Sequence, residues 1–394
     1  MNAIARLILA TSISVVSAPS FSLSFFDPLD DQLDMGEYLA ENAYGFLPVP
    51  IFITEPAVGY GGGLVGVFLH ETDEQREKRK QLAEQSIDGG AQLLTPAITA
   101  AGGFVTENGT WLGFIGHRRT WSEDSIRYMG GIGYGDINMT FYNQNSTNDL
   151  SFLPNGNGVE LGMKGTGGIQ QLQFRLPETN WFVGLSQLFF VPDMSINNGV
   201  FDNSPLEKLL NRTSNSSGLG VIIEYDSKDS FLSPRNGYNY LAEYLWFNKT
   251  IGSDFIYQTL NAEGTNYWQL SDDINIALKG QYKALYTDEN FISPQYIPDI
   301  ELRGIPRNLH QGERTFSLES QILKQWNLRW STNFFAGIGY NGESNQDMFS
   351  QDSHVSYGVG FRYLIARRYG LTSGVDLAFS EDDSALYFQV GVGI

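Results

Sequence analysis

Four histidines, no cysteine and a few acid pairs are the chemistry this chain offers. Without Cys there is no thiol nucleophile, thiolate metal site, iron–sulfur ligation or disulfide. His70, His117, His310 and His354 are scattered, with no Glu-x-x-His spacing, so a multi-His zinc site is not expected and each reads as a loop or lumen residue. No Ser, His and carboxylate can be assembled into a nucleophile–base pair, and neither an enzyme nor a cofactor is expected. Asp382-Asp383, and Asp27 with Asp30-Asp31, could hold a divalent cation weakly, but read more simply as solvated acids. Gly61-Gly62-Gly63-Leu64-Val65-Gly66 satisfies G-x-G-x-x-G, yet Thr54-Glu55-Pro56 precedes it and no helix follows, so the dinucleotide reading fails on context. A formal charge of −19 argues against nucleic acid.

The elements that must carry these residues are strands. Leu386, Phe388, Val390, Val392 and Ile394 alternate with Tyr387, Gln389, Gly391 and Gly393, one greasy face against one polar or empty face. The pattern recurs at 219–226, 274–286, 316–322 and 371–379. Its polar face, rich in Lys, Glu, Gln and Gly, suits the lumen of a membrane barrel better than the core of a sandwich. Gly at 43 of 394 residues and aromatics at 13% fit the same division, with glycine on the lumen face and aromatics in two girdles, as at Trp181, Trp246, Trp268 and Trp330.

Fifteen strands are readable, near 57–68, 95–106, 109–120, 125–142, 158–176, 181–191, 217–227, 237–248, 254–270, 274–287, 314–325, 329–341, 354–366, 370–380 and 385–394. Both ends of a barrel on one side of a membrane require an even number. A sixteenth strand is expected within 125–176, at a reversal near Gly165–Gly168. Short turns such as 107–109, 177–180, 271–273, 325–327 and 367–370 belong to one side, and long loops at 69–94, 193–215, 289–314 and 342–353 to the other.

Residues 1–22 carry one cation, Arg6, an apolar run from Leu7 to Val16 and a small-x-small site at Ser20-Phe21-Ser22, the pattern of a secretory signal peptide. Residues 23–56 then read as a short periplasmic leader or plug helix ended by Pro48-Val49-Pro50, and 57–394 as the barrel. The fold class is all-β, a transmembrane antiparallel barrel of sixteen strands in the bacterial outer membrane.

Glu301-Leu302-Arg303-Gly304-Ile305-Pro306-Arg307, in the long loop 289–314, resembles the Arg-Gly-aromatic motif in the inward-folded sixth loop of the BamA/TamA-type outer-membrane assembly and translocation superfamily, the bacterial surface antigens. Ile305 replaces the usual aromatic. Tyr225-Asp226-Ser227-Lys228-Asp229-Ser230 with Pro234 and Gly237, Phe361-Arg362-Tyr363, Gly374–Ala378, and the opening Pro48–Pro50, Glu55-Pro56 and Gly59–Gly66 extend the resemblance in order along the chain. The resemblance implies a loop locked in the lumen, and period two places Glu319 and Asp376 inward to receive Arg303. It also implies a lateral seam between first and last strands, formed here by Gly59, Gly61, Gly62, Gly63 and Gly66 against Val390, Val392 and Ile394. The implied function is insertion or translocation of outer-membrane protein clients. About 30 residues between the cleavage site and Pro56 leave no room for the family's POTRA domains, so a periplasmic accessory protein would have to supply client capture. The alternative is a passive or gated pore, or a lipid-handling barrel. Outer-membrane lipid is the one partner common to these readings.

Overall fold

The computed structural model describes residues 25–27, 29–36, 46–55, 57–75, 77, 78, 81, 97–141, 159–196, 215–231, 233–289 and 292–391. Residues 1–22, read from the sequence as a signal peptide, lie outside the described residues, as do Val392 and Ile394. Sixteen strands form one sheet, each antiparallel to the next in chain order. They are β1 (Phe46–Ile53), β2 (Gly61–His70), β3 (Ala97–Thr106), β4 (Trp111–Trp121), β5 (Ile126–Phe141), β6 (Val159–Arg175), β7 (Trp181–Ile196) and β8 (Ser216–Asp226) in the first half. The second half holds β9 (Gly237–Phe247), β10 (Tyr257–Ser271), β11 (Ile274–Thr287), β12 (Arg314–Gln325), β13 (Trp330–Gly342), β14 (His354–Ala366), β15 (Leu371–Ser380) and β16 (Ser384–Val390). The sheet curls until its edges meet, with the rings of Phe52 on β1 and Phe388 on β16 4.4 Å apart. No described helix is long and apolar enough to cross a membrane.

Burial runs opposite to that of a soluble protein. On β12, Thr315, Ser317, Glu319 and Gln321 are buried, whereas Ile322 is exposed; on β8 and β14, Leu219, Val221, Ile223, Val355, Tyr357, Val359 and Phe361 face outward. Period two makes this possible, because one register supplies both a lipid-facing apolar surface and a polar lumen. Two aromatic belts ring the outside. Trp181, Tyr225, Tyr240 and Tyr238 adjoin one another at the end of the barrel where β1 begins and β16 finishes, called the termini end below, as do Trp330 and Tyr363. At the opposite, loop end, Trp111 meets Tyr134, and Tyr244 meets both Trp246 and Tyr286. The lumen near the loop end is filled by an apolar cluster that includes Phe141, Leu161, Met163, Leu245, Phe247 and Leu285, joined by Ile297 of the loop after β11.

The sixteenth strand is not within 125–176. That stretch holds two strands, β5 and β6, paired from Ile126↔Phe174 to Phe141↔Val159, and Gly165–Gly168 lie within the β6 ladder rather than at a reversal. The additional strand is β1, so the sheet begins at Phe46, inside the stretch read as leader. Pro48 and Pro50 hide it, because proline lacks the N–H a central ladder needs and is tolerated on an edge strand. A strand added at the front also reverses two turns: 107–109 lies at the loop end and the long 69–94 connection at the termini end.

Candidate functional site

The β11–β12 loop turns back into the barrel, and Arg303 carries its charge onto the inward faces of β12 and β15. Its Nη2 donates to Glu319 Oε1 at 2.6 Å and its Nε to Oε2 at 3.3 Å, while Nη1 donates to Asp376 Oδ2 at 2.7 Å. The guanidinium carbon stands 3.6 Å from the centre of the Phe335 ring, so one face is packed while the edge is hydrogen-bonded. Asp376, fully buried, also takes a bidentate pair from Arg362 at 2.6 and 2.8 Å and a bond from Asn333 at 3.1 Å. Strands β12, β13, β14 and β15 thus each contribute to one network around the loop tip. Arg362 and Asn333 were not singled out as network members from sequence; the signal available was their inward register on β14 and β13.

Gly304 has φ +94°, and a Cβ there would stand 3.1 Å from the backbone of Phe379. Its N–H donates to Tyr387 Oη on β16 at 3.0 Å, and Ser380 Oγ donates to its carbonyl at 2.8 Å. Ile305 is buried with Ile300 and Leu302, an apolar contact in place of the aromatic that the resembled motif carries. Arg307 Nε reaches Asp299 at 3.0 Å, and its backbone N–H donates to Glu55 Oε1 at 3.0 Å. Burial pushes the Glu301 carboxyl up, but Lys283 and Arg307 override it and hold its pKa at about 2. The loop therefore bonds both sides of the sheet's meeting edges, Glu55 beyond β1 and Tyr387 on β16.

At those edges, no ladder joins β1 to β16 among the described residues; β1 pairs with β2 and β16 with β15. Alternate residues point their N–H groups to opposite edges of a strand, so Pro48 and Pro50 delete donors from the same edge. The β1–β2 ladder is unbroken from Phe46 to Ile53, so the depleted edge is the one facing β16. Here the glycine assignment needs correction: Gly61, Gly62, Gly63 and Gly66 lie in β2, which pairs with β3 as well as β1, and Gly59 lies in the turn before it. They adjoin the edge strand without being it, because the strand count began one strand too late. Val390 ends β16, and Gly391, at φ +96°, turns its N–H to Thr372 O at 2.8 Å.

The termini end has a second lock that the sequence reading missed. Asp27, Asp30 and Asp34 surround Arg329 of the β12–β13 turn; Arg329 Nη2 meets Asp27 and Nε meets Asp30, each at 2.6 Å, and Nη1 meets Asp34. Arg367 donates to Asp27 as well, at 3.0 Å from Nη2. Burial raises the Asp27 carboxyl, yet Arg367, the Leu29 N–H and Arg329 outweigh it and bring its pKa to about 2. These acids are thus arginine-paired rather than solvated. Beside them opens a lumen cavity of about 850 Å³, lined in part by Asp229, Gln321, Trp326 and Arg329.

No protein-family model matches the chain, and no curated protein sequence does. Solved structures do. BamA from Haemophilus ducreyi lacking POTRA domains 1–3 superposes with a TM-score of 0.52 at 12% identity, over 88% of this chain and 69% of that one. CdiB from Escherichia coli matches at 0.52 and 10% identity over 87% of this chain and 61% of that one, and CdiB from Acinetobacter baumannii at 0.52 and 10% over 88% and 59%. At these identities the likeness is one of fold: the chain is a sixteen-stranded antiparallel barrel of the kind seen in BamA and CdiB.

Proposed function

We propose that the protein is a bacterial outer-membrane barrel that admits protein clients at the β1–β16 seam, for insertion or translocation, with the Arg303 loop bracing that seam from inside. The termini end then faces the periplasm and the loop end the exterior. The observation that carries this reading is the seam: two edges in side-chain contact, without a ladder among the described residues, one of them lacking two donors at Pro48 and Pro50. Among the described residues, sixteen strands are held by fifteen ladders, and the seam is where the sheet opens without breaking one of them.

The chain has no native cysteine, so a Phe52→Cys, Phe388→Cys pair tests the seam cleanly. A deletion strain is expected to lose particular outer-membrane proteins, with recovery by the wild type and by the reduced pair but not by the oxidised pair. A second reading, a gated pore, draws on the 850 Å³ lumen cavity. An unchanged outer-membrane proteome together with steady bilayer conductance from the purified barrel would overturn the seam reading in its favour.

A further inference from the structure

Three groups distant in sequence converge at the loop end: His310 in the β11–β12 loop, His354 at the start of β14, and Asp382 in the β15–β16 turn. One ligand atom from each lies within 4.8 Å of the others. His310 Nε2 is 2.8 Å from Asp382 Oδ2, and the two imidazoles stack with centroids 3.5 Å apart. We propose that these residues form a site for a borderline divalent transition-metal ion of the zinc class. This goes beyond the seam reading and does not depend on it.

The hydrogen bonds around His354 fix which nitrogen is free. Asn341 Nδ2 donates to Gln311 O at 2.8 Å, which orients the amide so that its Oδ1 faces His354 Nε2 at 3.2 Å. An amide oxygen only accepts, so His354 Nε2 carries the proton and Nδ1 presents a lone pair. That Nδ1 is buried and has no hydrogen-bond partner, with Glu381 Oε1 3.8 Å away. A histidine tautomer set by an outer carbonyl-type acceptor, with the other nitrogen bare, is the usual preparation of an imidazole for a metal.

Two nitrogens and a carboxylate oxygen suit zinc-class ions rather than Ca²⁺ or Mg²⁺, which take oxygen shells. A metal binds in the plane of each ring, so the rings turn out of their stack to share one ion, and His310 changes tautomer, its proton moving from Nε2 to Nδ1 so that Nε2 presents a lone pair. Glu381, well exposed beside His354 Nδ1, is the fourth donor and the entry side. An ion held there ties the loop that carries Arg303 to β14 and to the β15–β16 turn.

The test is Zn²⁺ titration of the full-length barrel in detergent micelles after chelator treatment, by calorimetry, with Co²⁺ absorption as a second readout of tetrahedral nitrogen and oxygen ligation. One ion per chain is expected, weakened more than about tenfold in His354→Ala and in Asp382→Asn, and by about tenfold in Asn341→Leu, which leaves the ligands in place. Heat-modifiable gel mobility checks that each variant is folded; His310→Gln serves if His354→Ala is not. Absence of saturable binding to the wild type, or affinity unchanged in the folded His variants, overturns the proposal.

Discussion

Replacing Arg303 by Met keeps the length of the side chain over Phe335 and removes the charge. The two carboxylates then fare differently. Asp376 keeps the bidentate Arg362 and Asn333, so its loss is one charged hydrogen bond of three partners. Glu319, buried on β12, is left without its guanidinium; its ladder neighbour Lys279 on β11 is the nearest replacement, and that ammonium already leans toward Glu263 at 4.0 Å. Breaking a buried pair from one side costs about 3–5 kcal/mol, and Lys279 brings the expectation to the lower end, about 3 kcal/mol. The assay is urea unfolding of the micelle-bound barrel, read by heat-modifiable mobility, with protease nicking of the β11–β12 loop in parallel. Arg303→Met with Glu319→Leu is expected to recover about 2 kcal/mol of that loss, since no orphaned charge remains. The exchange Arg303→Glu with Glu319→Arg is expected to recover less, because it sets a carboxylate where Nη1 now meets Asp376 at 2.7 Å. A single-variant cost below about 1 kcal/mol, the scale of an exposed ion pair, or strict additivity of the two changes, would refute the lock.

Three further outcomes follow from the same geometry. The Asp27 clamp is acid-sensitive: its pKa is lowered from 3.8 to about 2, so its contribution is complete above the unfolded value and is lost as pH falls through the folded one. Protection of the amides of residues 29–36, taken relative to their intrinsic exchange rate, is expected to fall between pH 4 and 2, and protection unchanged across that window would contradict it. Gly304→Ala puts a side chain at φ +94° against the Phe379 backbone, with an expected cost of about 1–3 kcal/mol and faster protease nicking of the loop; a neutral result would mean the loop tip is not held. Pro48→Val with Pro50→Val returns two N–H donors to the β1 edge and is expected to stabilise the barrel by about 1–2 kcal/mol in urea unfolding, at the expense of client handling; destabilisation would show that the donors do not reach β16.

How far the sequence discloses this molecule depends on whether a feature is local. Strands β8, β12 and β15 are legible because their alternation is contained within ten or so residues, and the inward register that places Glu319 and Asp376 follows from counting by two. Strand β1 is illegible for a local reason too, since Phe46-Leu47-Pro48-Val49-Pro50 reads as a break until it is known to be an edge. The Arg303 pairings were accessible because one partner is nearby in sequence and the motif carried a resemblance. No such help exists for Asp27 with Arg329 and Arg367, or for His310 with His354 and Asp382. These meet only because antiparallel strands return to the same end of the barrel, and their contacts are set by which turns share that end. The misplaced strand had assigned 69–94 and 107–109 to the wrong ends, so end-to-end proximity was the information most damaged by it.

The Arg303 lock and the seam act on one another through the loop. Gly304 bonds Tyr387 on β16, and Arg307 bonds Glu55 beyond β1, so the loop spans the two edges on the lumen side. Separating β1 from β16 breaks no backbone ladder but must break one of these two bonds, each worth about 1 kcal/mol or somewhat more where a carboxylate accepts. The Arg303 network on β12–β15 determines which one yields. Anchored to Glu319 and Asp376, the loop is expected to stay with the β16 side on opening and to give up the contact to Glu55. On the proposed reading, a seam held by side-chain contact outside and by one or two hydrogen bonds inside would yield to a client's own strand-forming edge, whose backbone donors and acceptors can offer more bonds than the loop withholds.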